Sequence, residues 1–238
     1  AEVNTAYASS GITGLGNEAV TISDTTIAVT ALQTLDEATT GTIDASTLKT
    51  ITGTSSAVEL AFTSPGVSGL TFDASSYLAG YTDLLAAFGT DLTAAQSHYF
   101  ANGVTEGRSF DAFDEYSYLA GNADLLAAFG TNTDSALVHY INNGYSEGRA
   151  ADSFDENSYL ASNTSLIGSV TDAASHYVNT GYAAGLALDT FDALSYVASN
   201  SSMITAYLAG SGLDEATAYY VSSGFAAGDS ADTFDEYG

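Results

Sequence analysis

The sequence predicts a mixed fold: a small α/β repeat layer at the amino terminus, then an all-α, solenoid-like array of four helical repeats of about 41 residues. Two self-similarities carry this reading. The stronger is a sentence written four times, opening at Phe72-Asp73, Phe113-Asp114, Phe154-Asp155 and Phe191-Asp192, with a fifth opening at Phe234-Asp235. These openings are spaced by 41, 41, 37 and 43 residues. The fainter one matches Val3, Tyr7 and Gly11 to Val58, Phe62 and Gly66, an offset of 55 residues. The chain therefore divides near residue 70, into an α/β segment (1–70) and a helical array (71–238) with repeats starting near 72, 113, 154 and 191 and a stub from 234.

In the amino-terminal segment, alternating Val20 and Ile22 predict a strand over 19–23. Asp24 is the expected cap of a helix reaching Leu35, with Ile27, Leu32 and Leu35 on one side and Gly41 as its stop. A second short strand is expected over 42–45, and a helix opening at Ser55 or Ser56 runs through Phe62 until Pro65-Gly66.

In each helical repeat the Asp after Phe is the expected N-cap of a first helix, because its carboxylate can accept from the free N–H groups there. Phe113 then stands at N′ and Tyr118 at N4, the spacing of a hydrophobic staple, as do Phe72/Tyr77, Phe154/Tyr159 and Phe191/Tyr196. A second helix is expected to start at Asp83, Asp124, Ser165 and Ser202, and a third at Thr93, Asp134, Thr171 and Asp214. Gly144 is the expected C′ residue of the third helix, with Gly148 following. Both changes of repeat length fall between the second and third helices, around Ser169-Val170 and Ala209-Ser211, as stacked repeats tolerate.

Charge narrows the function classes. Against 29 Asp and Glu there are 3 Lys and Arg, giving a formal net charge of −26. Such a surface repels phosphate backbones and anionic headgroups, so neither nucleic acid nor membrane insertion is expected. It attracts divalent cations or suits high salt. There is no Cys, hence no disulfide framework, and neither a membrane-length apolar run nor a signal-peptide pattern is visible.

The candidate metal ligands are paired carboxylates in Asp-x-Phe-Asp: Asp111/Asp114, Asp152/Asp155, Asp189/Asp192 and Asp232/Asp235. They could share Ca²⁺ between repeats, with carbonyl oxygens completing the shell; the competing role of the second Asp is the helix cap. The spacing is not that of an EF-hand loop. His98, His139 and His176 share one repeat position that holds Tyr219 in the last copy. A ligand or general base would not survive that exchange, whereas an aromatic ring with a polar tip would. Arg108 and Arg149, each three residues before an Asp-x-Phe-Asp motif, are expected to contact its carboxylates, and Asn163-Thr164-Ser165 and Asn200-Ser201-Ser202 match the glycosylation triplet. No acid or histidine is singular, so no catalytic residue and no enzyme is expected.

The sentence Phe-Asp-x-x-x-Tyr-Leu-Ala, then Asp-Leu-Leu-Ala-Ala-Phe-Gly, then His-Tyr-x-x-x-Gly-x-x-x-Gly-Arg resembles tandem repeats of large secreted and cell-surface proteins of cyanobacteria and alphaproteobacteria. Many of those look like type I secretion substrates that also carry calcium-binding RTX repeats. Gly16 to Thr26 and Thr40 to Leu48 are similar to a second repeat of the same proteins. The resemblance implies an extracellular or cell-surface location and a structural role in a surface layer, matrix or filament. The expected partner is a second copy, joined head to tail through part-units at the two ends, with Ca²⁺ offsetting the charge. The alternative is an adhesin stalk or carbohydrate-binding module facing a cell-surface polysaccharide.

Overall fold

The computed structural model describes residues 16–233, and the matches at Val3, Tyr7 and Gly11 and the Phe234-Asp235 opening lie outside them. The protein is mostly helical, with a small amino-terminal α/β region of short parallel strands. It forms two compact units: Ala1–Asp114 with Leu137–Ala151, and Glu115–Ala136 with Asp152–Gly238.

The α/β region is two turns of chain laid over one another. β1 (Val20–Thr21), β3 (Ile43–Asp44) and β5 (Val67–Ser68) pair in parallel in that order, Val20 beside Ile43 and Ile43 beside Val67. β2 (Thr26–Ala28) pairs in parallel with β4 (Thr50–Thr52), Ile27 beside Ile51. The chain thus returns to itself after 23 or 24 residues, a shorter period than the 55-residue match. Helices α1 (Val29–Ala38) and α2 (Ser55–Ala61) follow β2 and β4. Val29, Leu32, Leu35, Ile43, Ile51 and Val58 fill the space between strands and helices. Removing those six side chains from water is worth about 1.5–3 kcal/mol each.

Three expectations change here. The helix starts at Val29, capped by Ala28 without a side-chain bond, so Asp24 is not its cap and Ile27 belongs to β2. Strands β2, β4 and β5 are two or three residues long, too short for an alternating pattern to show. Gly41 follows the helix for a different reason: a Cβ there would lie 2.0 Å from the Glu18 carbonyl oxygen.

The helical repeats begin as their sequence demands. Asp73 accepts from the N–H groups of Ser75 and Ser76, Asp155 from Ser158, and Asp192 from Leu194 and Ser195. These caps open first helices at Ala74–Ala79, Glu156–Ser162 and Ala193–Ser199; the second repeat's is Glu115–Ala120. The second helices are Thr82–Phe88, Ala123–Phe129 and Ser201–Leu208, while the third repeat has a single 3-10 turn, Thr164–Leu166. Asp83 and Asp124 sit in the first turn of their helices, beyond the caps Tyr81 and Asn122. The third helices, Leu92–His98, Thr133–His139, Ala173–His176 and Leu213–Tyr219, are likewise entered earlier than expected in the first repeat, at Asp91, and one residue later in the third, at Asp172. In the last repeat Glu215 reaches back to the Gly212 N–H at 2.8 Å.

Each third helix then widens into one π turn: Tyr99–Gly103, Tyr140–Gly144, Tyr177–Gly181 and Tyr220–Gly224. A π turn is rare in itself; four at one repeat position form a designed feature. Gly144 therefore lies inside the helix and is not its C′ residue. The terminating glycines are Gly107, Gly148, Gly185 and Gly228, all with φ between 67° and 82°. At the first, Arg108 N donates to Gly103 O (2.9 Å) and Gly107 N to Val104 O (3.2 Å), the paired bonds of a Schellman motif, and the other three repeat it.

Among the described residues no helix is long and apolar enough to cross a membrane.

Candidate functional site

The feature that recurs with the sequence period is a seam in which one repeat meets the next. It starts from an aromatic trio. Phe72 contacts Tyr77 (5.8 Å between ring centres) and stacks on Tyr99 (4.9 Å), while Tyr77 meets Tyr99 edge-on at 5.1 Å. The trio returns as Phe154/Tyr159/Tyr177 and Phe191/Tyr196/Tyr220, and Phe113 stacks on Tyr140 at 4.8 Å. The staple is thus only half of the role of Phe; its other face holds the start of the π turn.

The hydroxyl of the N4 tyrosine explains two further positions. Tyr77 bonds His98 Nδ1 at 2.9 Å and Tyr159 bonds His176 Nδ1 at 2.8 Å. In the last repeat, where Tyr219 replaces the histidine, Tyr196 donates instead to Asp229 Oδ2 at 2.8 Å. The histidine is a hydrogen-bond partner of the tyrosine hydroxyl, and Asp229 takes that place in the last repeat. The same hydroxyls lie over the π-turn glycines: a Cβ on Gly103, Gly181 or Gly224 would meet Tyr77, Tyr159 or Tyr196 Oη at 2.3–2.5 Å. The Gly-x-x-x-Gly spacing therefore combines a close approach at its first glycine with a left-handed cap at its second.

Across the seam, the first helix of one repeat packs on the third helix or π turn of the next. Ala74–Ala79 meets Tyr140–Gly144 in the first unit. In the second unit Glu115–Ala120 meets Ala173–His176 and Tyr177–Gly181, and Glu156–Ser162 meets Leu213–Tyr219 and Tyr220–Gly224. Ala79, Ala120 and Ala161 are buried there at 1%, 5% and 4% exposure. The turn after the first helix is tied to the next opening by backbone-directed polar groups. A Cβ on Gly80 would strike Ala112, and one on Gly121 would strike Ser153. Where serine stands instead, Ser162 Oγ accepts from Thr190 N (2.8 Å) and Phe191 N (3.1 Å), and Ser199 Oγ from Thr233 N (2.8 Å).

Both glycosylation triplets are consumed by this seam. Asn163 Nδ2 donates to Tyr159 O and Ala187 O, and Asn200 Nδ2 to Tyr196 O and Ser230 O, all within 2.7–2.8 Å. A glycan on either amide would break these clamps. In the first repeat Tyr81 does the same work, its hydroxyl donating to Ser109 O and accepting from Ser109 N.

The amino-terminal region joins the first repeat by a substitute for the same seam, within the first unit. Helix α2 packs on the π turn Tyr99–Gly103, as first helices do on the π turns of later repeats, and also on Val104–Glu106. Phe62, just after α2, meets Phe72, Tyr99, Phe100 and Phe110 edge-on at 5.2–6.3 Å. Phe100 and Phe110 are peculiar to this repeat; the later copies have Ile141, Val178 and Val221, and Ala151, Leu188 and Ala231. Phe110 N donates to Lys49 O at 2.8 Å, and Lys49 Nζ pairs with Asp111.

The candidate metal ligands are dispersed into these tasks. Asp111 pairs with Lys49 and accepts from Ser76 Oγ at 2.7 Å. Asp152 Oδ1 accepts from Phe154 N at 3.2 Å; Asp155 and Asp192 cap their helices. Asp114 immediately precedes the helix at Glu115, Asp189 and Asp232 are exposed, and Asp235 lies outside the described residues. Among the described residues no three His, Asp or Glu side chains gather where they could hold one ion. Arg108 pairs with Glu106 (2.5 Å) and bidentately with Asp83 (2.7 and 3.0 Å), not with Asp111, and lies 4.6 Å from the Tyr81 ring centre. Its guanidinium holds the Asp83 carboxyl below the usual range. Burial raises the phenols of Tyr77, Tyr99, Tyr159, Tyr177, Tyr196 and Tyr220. These are packing groups, far from the protonation change a general acid needs near neutrality.

No family model matches the chain, and the searches of curated proteins and solved structures found no match.

Proposed function

We propose that the protein is a structural, non-catalytic part of an extracellular surface layer, matrix or filament, in which its helical repeats stack as a solenoid and copies join end to end. One observation carries this reading: among the described residues the same seam, a first helix laid on the next repeat's third helix or π turn, is built three times over. The first helix of the last repeat, Ala193–Ser199, is the counterpart of three helices whose outer faces are packed. There Leu194 is 56% exposed, although Ser75, Tyr116 and Asn157 at the same position are half-buried. Ala198 is likewise half-exposed where its three counterparts are buried. A second copy carries surfaces of the kind that the three counterpart helices pack against. Ca²⁺ enters as a counter-ion that reduces repulsion between subunits carrying −26 each. Electron microscopy of the purified chain with millimolar Ca²⁺ and with chelator tests the reading. Regular polymers with Ca²⁺ are expected; a monodisperse monomer in both would reject it.

A second reading, a polysaccharide-binding stalk, is favoured by one specific pattern. The residue after the π-turn glycine is Tyr145, Tyr182 and Phe225 in the last three repeats, exposed by 36%, 43% and 40%. Side chains of this kind stack on sugar faces and serve as contact anchors. Retention of the chain on cell-surface polysaccharide, lost on Tyr182→Ala with Phe225→Ala, would favour it over self-assembly.

A further inference from the structure

We infer that the exposed ring after each π-turn glycine, Tyr145, Tyr182 and Phe225, is a stacking site for an uncharged polysaccharide, which it holds by the C–H face of a pyranose ring. The inference rests on the second reading above and names its ligand class and the group that is recognised. It also places the sites: one on each of the second, third and fourth repeats, and none on the first.

Packing of the repeat does not call for these rings to be exposed. The tyrosines of the aromatic trios are buried, at 0–6% exposure. The ring just past the glycine is 36% exposed at Tyr145, 43% at Tyr182 and 40% at Phe225, so internal repeats expose it as the last one does. Its orientation is fixed from below. Tyr182 stands edge-on to the buried Tyr177 at 6.1 Å and 79°, and Phe225 to Tyr220 at 6.0 Å and 75°. A ring pinned in this way loses little further freedom when a ligand stacks on it. In the first repeat the same position holds Val104, 3% exposed, in the segment on which α2 packs. Where the chain covers the place the residue is aliphatic; where the place is open it is aromatic.

The surroundings define the ligand. Tyr and Phe interchange at the position, so the ring is recognised and not the phenol hydroxyl. The two residues before each glycine, Asn142-Asn143, Asn179-Thr180 and Ser222-Ser223, are exposed and uncharged. Amides and hydroxyls both donate and accept, as sugar hydroxyls do. In a chain with 29 Asp and Glu, no acid stands at any of these six places. Tyr182 and Phe225 belong to the unit of Glu115–Ala136 and Asp152–Gly238, which contains no Lys or Arg. The chain's three cations are each paired with a carboxylate elsewhere: Lys49 with Asp111, Arg108 with Asp83, Arg149 with Glu147. A sulfated or uronate-bearing glycan would meet repulsion there with no counter-charge. An uncharged glycan meets none, and a polymer engages more than one ring of the same unit, which strengthens contacts that are individually weak.

The full chain is run, without added divalent cation, in native gels containing hydroxyethyl cellulose or galactomannan as uncharged probes, or carboxymethyl cellulose as a charged one. Retardation by an uncharged glycan and none by carboxymethyl cellulose is expected. Tyr182→Ala and Phe225→Ala are each expected to weaken the apparent affinity by about three- to ten-fold, and the two together by more. Tyr182→Phe keeps the ring, and Leu188→Ala removes a different exposed apolar side chain of the same unit; both are expected to leave retardation unchanged. Native far-ultraviolet dichroism is checked for each variant, and Tyr182→Phe decides between ring and fold if the alanine variants lose it. Retardation by an uncharged glycan that survives Tyr145→Ala, Tyr182→Ala and Phe225→Ala together, or that falls as much with Leu188→Ala, overturns the site. Equal or stronger retardation by carboxymethyl cellulose overturns the ligand class. Either result leaves the polysaccharide reading standing, whereas no retardation by any of the three glycans overturns both.

Discussion

At the level of single residues, the tyrosine at N4 organises each repeat. Its ring closes the aromatic trio, its hydroxyl is anchored by histidine or Asp229, and that hydroxyl forbids a side chain on the π-turn glycine. Gly181→Ala is expected to cost about 1–3 kcal/mol through forced repacking, read as a lower urea midpoint. Asp155→Ala should cost about 1 kcal/mol by removing the cap bonds to Ser158. Tyr99 Oη is buried without a hydrogen-bond partner, so Tyr99→Phe should stabilise the protein by about 1 kcal/mol. A loss of stability would reveal a partner for that hydroxyl. The buried phenols also set the alkaline limit. Their folded pKa values are raised above the unfolded value near 10, so the folded state keeps its protons longer. Stability is then full below about pH 10 and falls as pH rises through the folded values, by up to about 1.4 kcal/mol per pH unit for each such tyrosine. Loss of far-ultraviolet dichroism should accompany the rise of phenolate absorbance; phenolate appearing below pH 10 in a folded chain would contradict this.

At the level of elements, the four-fold Phe-Asp-x-x-x-Tyr was readable because cap and staple are local chemistry spaced within one turn. The π turns were not readable: Tyr-x-x-x-Gly looks like a helix end, and nothing local announces that a tyrosine hydroxyl from the first helix lies over Gly103, Gly181 and Gly224. The caps of the second and third helices were misplaced for a related reason. Asp83 and Asp134 suit a first turn as well as a cap, and the sequence does not distinguish a carboxylate that bonds Arg108 from one that bonds an N–H. The strands of the α/β region were half-visible, since partners 23 or 24 residues apart share little more than one apolar residue each. The junction at Phe62 could have been noticed from the aromatics Phe100 and Phe110, which depart from the aliphatic residues of the later copies. Phe62→Ala is expected to remove about 3 kcal/mol of stability, and the equivalent truncation at an exposed residue such as Leu60 much less.

At the level of the whole molecule, charge and seam act against each other. A net charge of −26 on 238 residues repels both neighbouring repeats and neighbouring copies. Raising ionic strength from about 0.01 M to about 0.15 M shortens the Debye length from about 30 Å to about 8 Å, so the melting temperature should rise over that range. No change would mean that the carboxylates are already neutralised by bound cations. The candidate site that emerges is a surface rather than a pocket. Its residues were legible as a repeat, but which helix faces meet depends on how the repeats pack. The direct test is sedimentation velocity of the native chain and of Leu194→Asp over a concentration series in millimolar Ca²⁺. The account predicts large, growing species for the native chain and a monomer for the variant. Equal sedimentation of the two, whether both assembled or both monomeric, would contradict it.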